Sequence, residues 1–158
     1  MANKISISSY IRQNQIMGYA MIIGQILFAG VSIYLINVNG AYFGKADLNK
    51  VFIYLTPLLT LSCIVGGFVF FKSRMKLIKD KTNIIEKLID YRSALIIRWA
   101  LFEGPSFFAI MVYIITANLY FLCIVVIIIA IFIITKPSRE MLEKDLELSW
   151  EEKNQLVE

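Results

Sequence analysis

The chain has 158 residues, 58% of them hydrophobic and 18% charged, with a net charge of +4 and a mean hydropathy of +0.68. A soluble domain carries roughly 45–50% apolar residues, so this chain holds more than a globule of its size needs. That excludes intrinsic disorder, a nucleic-acid-binding module built on charge, and most soluble enzymes. With no histidine in the chain, His-based acid–base catalysis, His metal sites and haem ligation are excluded as well. Cys63 and Cys123 lie in apolar runs, without disulfide or zinc spacing. They read as small packing residues, and no metal site or cofactor is expected.

Residues 1–15 are polar, with Lys4 and Arg12. Ile16 to Ile36 then forms a run of 21 uncharged residues. As a helix it reaches about 31 Å, the thickness of a bilayer core. It is too long for the apolar part of a signal peptide, and no A-x-A-like site follows. The loop 37–50 places Asp47 where a helix N-cap is expected. A second run of 21 uncharged residues, Val51 to Phe71, is interrupted by Pro57 and Gly66-Gly67, which membrane helices tolerate.

Residues 72–98 hold eight basic and three acidic residues, a net of +5. Ile84, Ile85, Leu88, Ile89, Leu95 and Ile96 recur there at helical spacing. This predicts an amphipathic helix lying at the membrane surface or projecting from it, leading into the third span. The third span runs from Trp99 to Ala117, and starts as early as Ser93 if Arg98 snorkels. Asn118 makes the turn into a fourth span, Leu119 to Thr135, of 17 residues. The tail from Lys136 to Glu158 carries four basic and seven acidic residues, a net of −3. Ser149-x-x-Glu152 has capping-box spacing and predicts a short last helix. The expected fold class is therefore all-α: an integral-membrane four-helix bundle with spans at 16–36, 51–71, 93–117 and 119–135. An amphipathic cytoplasmic linker at 72–98 and cytoplasmic segments at 1–15 and 136–158 complete it.

Four spans put 14 basic residues on one side and only Lys45 and Lys50 on the other. The positive-inside rule then places both termini and the linker in the cytoplasm. The absence of address signals points to a bacterial inner membrane. Tyr34, Tyr54, Tyr113 and Tyr120 fall near the outer span ends, and Tyr10, Tyr91 and Trp99 near the inner ones, as interfacial rings do. Linker and tail, opposite in charge, are expected to touch, or the linker to meet anionic lipid headgroups. Arg74, Lys76, Lys79, Lys81, Lys87, Arg92 and Arg98 form the expected membrane-surface basic set.

Helical spacing sorts the embedded small and polar residues into seams. Gly18, Gln25, Ala29 and Ser32 share a face of the first span; Thr56, Thr60, Cys63 and Gly67 share one of the second. Glu103, Ser106, Tyr113 and Ala117 do so in the third. Small residues let helices approach, and hydroxyls and amides bond across the gap. The fourth span, nearly all aliphatic, is expected to be the most lipid-exposed. Glu103 is the acidic residue in a span and costs about 3 kcal/mol there unless protonated, paired or wet. Gly104 and Pro105 follow it, and Pro105 removes a backbone donor and predicts a kink. Gln25 and Ser106 are its expected neighbours. Two readings stand: a proton or cation site, or a structural hydrogen-bonded knot.

The stretch Tyr91 to Pro105, followed by the tail from Lys136-Pro137-Ser138 to Ser149, resembles a group of small uncharacterised four-span bacterial membrane proteins. That resemblance implies no specific activity. Ala100-Leu101-Phe102-Glu103 together with Gln25 faintly resembles the proteolipid subunits of rotary ATPases. There, a helix carboxyl and a neighbouring glutamine imply cation binding. Proteolipids also have glycine-rich first helices and outward termini, which are not expected here. The function expected is a non-enzymatic membrane scaffold or accessory subunit acting through helix packing and cytoplasmic linker and tail contacts, with the bilayer, a second copy or a membrane protein as partner. The alternative is a proton- or cation-translocating subunit using Glu103.

Overall fold

The computed structural model describes residues 5–40 and 46–157. Lys4 and Lys45, both part of the charge count, lie outside the described residues, as do residues 41–44 of the loop 37–50. The described chain is helical: α1 (Ile7–Asn39), α2 (Ala46–Lys79), α3 (Ile84–Thr116), α4 (Tyr120–Ile134), α5 (Arg139–Leu146) and α6 (Trp150–Gln155). A two-residue parallel pairing ties Ile5–Ser6 to Leu156–Val157, joining the two ends. Helices α1, α2 and α3 are long and apolar enough to cross a membrane. At 33 or 34 residues each reaches about 50 Å, well beyond the roughly 30 Å of a bilayer core.

Local chemistry sets most of the ends. Asn83 caps α3 by accepting from Ile85 N at 2.9 Å, and Ser138 caps α5 by accepting from Met141 N at 3.2 Å. Ser149 and Glu152 exchange side-chain-to-backbone bonds at α6, Glu152 Oε2 accepting from Ser149 N at 2.8 Å. This is the capping box that the spacing predicts. Asn118 accepts from Tyr120 N and donates from Nδ2 to Asn49 Oδ1 at 3.0 Å, so the α3–α4 turn is tied to the start of α2. Asp47 is not an N-cap, because α2 already begins at Ala46.

Of the two forms expected for the linker, the one that leads directly into the next helix is found. Residues 72–79 continue α2 and residues 84–98 are the start of α3, so no separate surface helix exists. The reason is that the buried repeat runs unbroken: Ile84, Leu88, Tyr91, Leu95, Trp99 and Phe102 all turn inward. Their shared stripe carries α3 from linker into span without a register change. Glu86, Asp90 and Arg92 lie outside this stripe, whereas Lys87 and Arg98 are buried beside it. Likewise α3 passes through Gly104 and Pro105, and α2 through Pro57, each as one continuous helix.

Helix α3 is the hub. Half of its most apolar stretch is buried, against 11% for α1 and 17% for α2. Ring contacts place the neighbours: Phe28 of α1 on Phe107 at 5.5 Å, Phe68 of α2 on Phe102 at 5.4 Å, Phe132 of α4 on Phe102 at 5.9 Å. α1 and α2 each touch α3 along one seam and leave the rest of their apolar surface outward, including Ile23, Leu27, Val31, Leu58, Leu61 and Val65. In water such a surface would drive association; facing lipid it costs nothing.

Helix α4 is not the most exposed. Phe121, Ile124, Val125, Ile128 and Phe132 are buried against α3. Its 15 residues reach about 22 Å, and it meets α5 at a bend of 77°. Of the expected interfacial rings, Tyr34, Tyr54 and Tyr120 are exposed, whereas Tyr113, Tyr91 and Trp99 are core residues.

Two glycines of the expected seams, Gly18 and Gly67, differ in how closely α3 approaches them. A Cβ on Gly67 would stand 2.7 Å from Phe102 Cε1, and that ring is pinned between Phe68 and Phe132. A Cβ on Gly18 would stand 3.5 Å from the Trp99 ring, ordinary contact. Gly67→Ala is expected to cost about 1–3 kcal/mol through overpacking, and Gly18→Ala about 0.5 or less. Thermal unfolding in micelles checks this; equal midpoints for the two variants would refute it.

Candidate functional site

Two groups of side chains carry chemistry: a polar set inside the helices, and a charged clamp where the tail meets the α2–α3 hairpin.

The inner set is built by register. Gly18 faces Trp99 and Phe28 faces Phe107, so Gln25, between them on α1, stands level with the 103–106 turn of α3. Gly67 against Phe102, and Asn49 against Asn118, place Thr60 of α2 near the same level. Gln25 and Ser106 are 0% exposed, and Thr60 is buried. Gln25 Oε1 and Nε2, Ser106 Oγ, Thr60 Oγ1 and Thr56 Oγ1 make no hydrogen bonds. Ser32 donates to Ala29 O of its own helix at 2.6 Å. Of the expected seam residues, Gly18, Ser32, Thr56 and Gly67 are buried, and Ala29 and Cys63 half-buried.

Glu103 is half-buried and, among the described residues, makes no hydrogen bond or ion pair. It lies one turn above Trp99 and one turn below Phe107, on the stripe of α3 that meets α1. Gly104 beside it is exposed, with nothing near where a Cβ would be. The expected trio of Glu103, Gln25 and Ser106 is thus at one level, but no hydrogen bond joins any two of them.

Burying an amide with no partner costs about 1–3 kcal/mol. Gln25→Leu, which keeps the bulk and removes the orphaned groups, is therefore expected to raise stability by about 1 kcal/mol or more. A lower unfolding midpoint for this variant would mean that the amide is satisfied in the folded protein.

The clamp involves residues that the charge count assigned to the membrane surface. Lys87 Nζ pairs with Glu152 Oε1 at 2.7 Å, with side chains 5% and 14% exposed. Lys79 pairs with Glu147. Tyr91 OH donates to Asp145 Oδ2 at 3.3 Å. Linker and tail, opposite in charge, are in direct contact. Arg98 does not snorkel. It is 5% exposed, lies under the Phe71 ring at 4.1 Å, and donates from Nη2 to Thr135 O at 2.9 Å. That carbonyl belongs to the C-cap of α4, where the helix dipole favours a cation.

The remaining basic residues divide by place. Arg92 donates to Asn14 Oδ1 at 2.7 Å and Gln13 Oε1 at 2.8 Å and stacks on Tyr10, tying α1 to α3. Lys81 bridges Asp90 at 2.8 Å across the hairpin turn. Arg74 and Lys76 are exposed.

Titration of the tail acids follows their surroundings. Burial pushes the Asp145 carboxyl up, against the Tyr91 hydroxyl and nearby cations. Burial also pushes Glu152 up, but the Lys87 ammonium and the Ser149 amide outweigh it and hold it below the usual range. Hydrogen bonds from Arg139 and Lys153 hold Glu143 low. Among the described residues no group of three metal-ligating acids or thiols converges. Comparison of the chain with protein-family models, curated proteins and solved structures finds no match.

Proposed function

We propose that the chain is a multi-pass inner-membrane protein with four spans and cytoplasmic termini, acting as a non-enzymatic scaffold or accessory subunit through helix packing. Helix α4 with Leu119 and Thr135 would reach about 25 Å and complete the fourth crossing. The observation that carries the reading is the open face of α3. At 100° per residue, Ser93, Ile97, Ala100, Gly104 and Met111 fall on one stripe, opposite α4 and between α1 and α2, and all are exposed. Ala100 and Gly104 are four apart, the small-xxx-small spacing that lets a membrane helix approach closely. Glu103 lies at the edge of this stripe without a partner among the described residues, at a depth where an unpaired carboxylate is costly. A helix seated on the stripe would cover it and supply a donor. The occupant is a membrane helix of a second copy or of another protein.

The test places Ala100→Cys in a chain carrying Cys63→Ser and Cys123→Ser, in native membranes. A benzophenone photocrosslinker attached to the thiol is expected to give an adduct, with a second copy or another protein, at Ala100→Cys, and none at a control on the buried side such as Ala109→Cys. A chain that stays monomeric and uncrosslinked at both positions would end the scaffold reading.

One observation favours a second reading, a proton or cation path. The orphaned groups of Gln25, Thr60 and Ser106 gather at the level of Glu103. On that reading, reconstituted protein conducts protons or sodium, and Glu103 is labelled by a hydrophobic carbodiimide. Glu103→Gln abolishes both. Absence of flux in the wild type discards it.

A further inference from the structure

Beneath the clamp, α2 and α5 enclose a cavity of about 500 Å³ that the helix-packing reading leaves unused. Lys72 and Lys76 line it from α2 and Lys144 from α5. Among the described residues these three side chains make no hydrogen bond or ion pair. Arg98 also lines it, 5% exposed, with Nε buried and lacking an acceptor. Two carboxylates share the wall: Glu147 pairs with Lys79, and Asp145 accepts from the Tyr91 hydroxyl while attracting Arg98, Lys144 and Lys79. With Lys79, five cations line one concave site against two carboxylates, which leaves a net positive charge. A fixed cluster of this kind suits a phosphate ester, with Arg supplying a planar fork and Lys point charges.

The other half of the ligand is written along α2. Leu58, Leu61, Val65 and Phe68 are exposed and spaced three or four residues apart. The same stripe continues into Lys72, Lys76 and Lys79. One helix face therefore runs from an apolar track to a basic end, with Phe68 shared between track and cavity. A free phosphate would use the basic end alone; the exposed apolar track fits acyl chains. The change occurs after Phe71, where the uncharged run ends and a bilayer interface would fall.

We propose that this cavity is a binding site for the headgroup of an anionic phospholipid, whose acyl chains lie along the Leu58–Phe68 face of α2. The site depends on membrane insertion but not on helix packing at Ala100 and Gly104. By filling the space between α2 and α5, a bound lipid would fasten the tail to the hairpin. It would do so alongside the Lys79–Glu147 pair.

The test uses the full chain purified in zwitterionic micelles. Dioleoyl phosphatidylglycerol is expected to bind at least tenfold more tightly than dioleoyl phosphatidylcholine, read by thermal shift and by lipid retention in native mass spectrometry. The triple variant Lys72→Gln, Lys76→Gln, Lys144→Gln removes exposed ammonium groups outside the core. It is expected to fold normally and to lose that preference. Leu61→Ser with Val65→Ser is expected to weaken phosphatidylglycerol while leaving any inorganic phosphate response unchanged. Equal binding of the two lipids, an undiminished preference in the lysine variant, or the same stabilisation by inorganic phosphate alone would overturn the proposal. Extraction of the protein from membranes by alkaline carbonate would instead refute membrane insertion itself, and is read separately.

Discussion

Replacing Arg98 with alanine is expected to destabilise the protein by about 3 kcal/mol. Its guanidinium donates to the α4 C-cap carbonyl of Thr135 and stacks on Phe71. A hydrogen bond from a charged donor contributes about 1.5–3 kcal/mol, and a desolvated cation–π contact up to about 2. Part of that is offset because Nε lacks an acceptor. Arg98→Lys should recover less than half. An ammonium cannot stack as a plane and donate sideways at the same time. Trp99 is the next residue and 1% exposed, so its fluorescence reports loosening of the α3–α4 contact. Unfolding in mixed micelles measures the loss. An Arg98→Ala protein with the parental midpoint would mean that α4 is held by its aliphatic face alone.

Glu152→Gln is expected to release the tail. It leaves the Lys87 ammonium, with its side chain 5% exposed, without a counter-charge. Breaking one side of a buried pair costs about 3–5 kcal/mol, and the lower figure applies because Glu152 keeps some contact with solvent. The double variant Lys87→Met, Glu152→Leu removes both charges and should return near the parental value. Limited proteolysis of the α5–α6 segment is the readout. If the single and double variants are cut equally fast, the ion pair is not what holds the tail.

Acid should act through the same groups, with a definite sign. Glu152 and Glu143 sit below the usual glutamate range. Their contribution is full above the unfolded value, about 4.3, and is lost as pH falls through the lowered folded value. Asp145 is raised by burial. Its contribution is full below the unfolded value, about 3.9, and is lost as pH rises through the raised value. Tail protection is therefore expected to fall in acid below about pH 4, with Glu152→Gln flattening that limb. Asp145→Asn should improve protection at neutral pH, since it removes a buried charge while keeping a partner for Tyr91.

Much of this was legible in the residues. The runs Ile16–Ile36 and Val51–Phe71 lie inside α1 and α2 because an uncharged stretch of that length has few alternatives to a helix. Gly18, Gln25, Thr56, Thr60 and Gly67 stand out against aliphatic neighbours at helical spacing, and all five are buried. Helix α4 was not. A helix that is apolar on every side gives no sign of which side is buried, and its burial is set by the aromatic partners on α3. For the linker, charge leaves open a helix lying on the surface or one projecting into the third span; the inward stripe through Leu88, Tyr91 and Leu95 makes residues 84–98 the start of α3.

By itself, the sequence determined that the chain is helical, where its apolar runs lie, which faces carry small and polar groups, and that linker and tail have opposite charge. These follow from composition and from the 3.6-residue period, which are properties of neighbours along the chain. Only the tertiary structure decided that α3 is the hub, that Arg98 and Lys87 are interior residues, and that Gln25, Thr60 and Ser106 share a level without bonding. Those outcomes depend on partners far away in sequence: Phe71 and Thr135 for Arg98, Glu152 for Lys87. A charge is placed at the surface by default because burial is costly. What reverses that default is a compensating group brought in by the fold, and local sequence does not show that group.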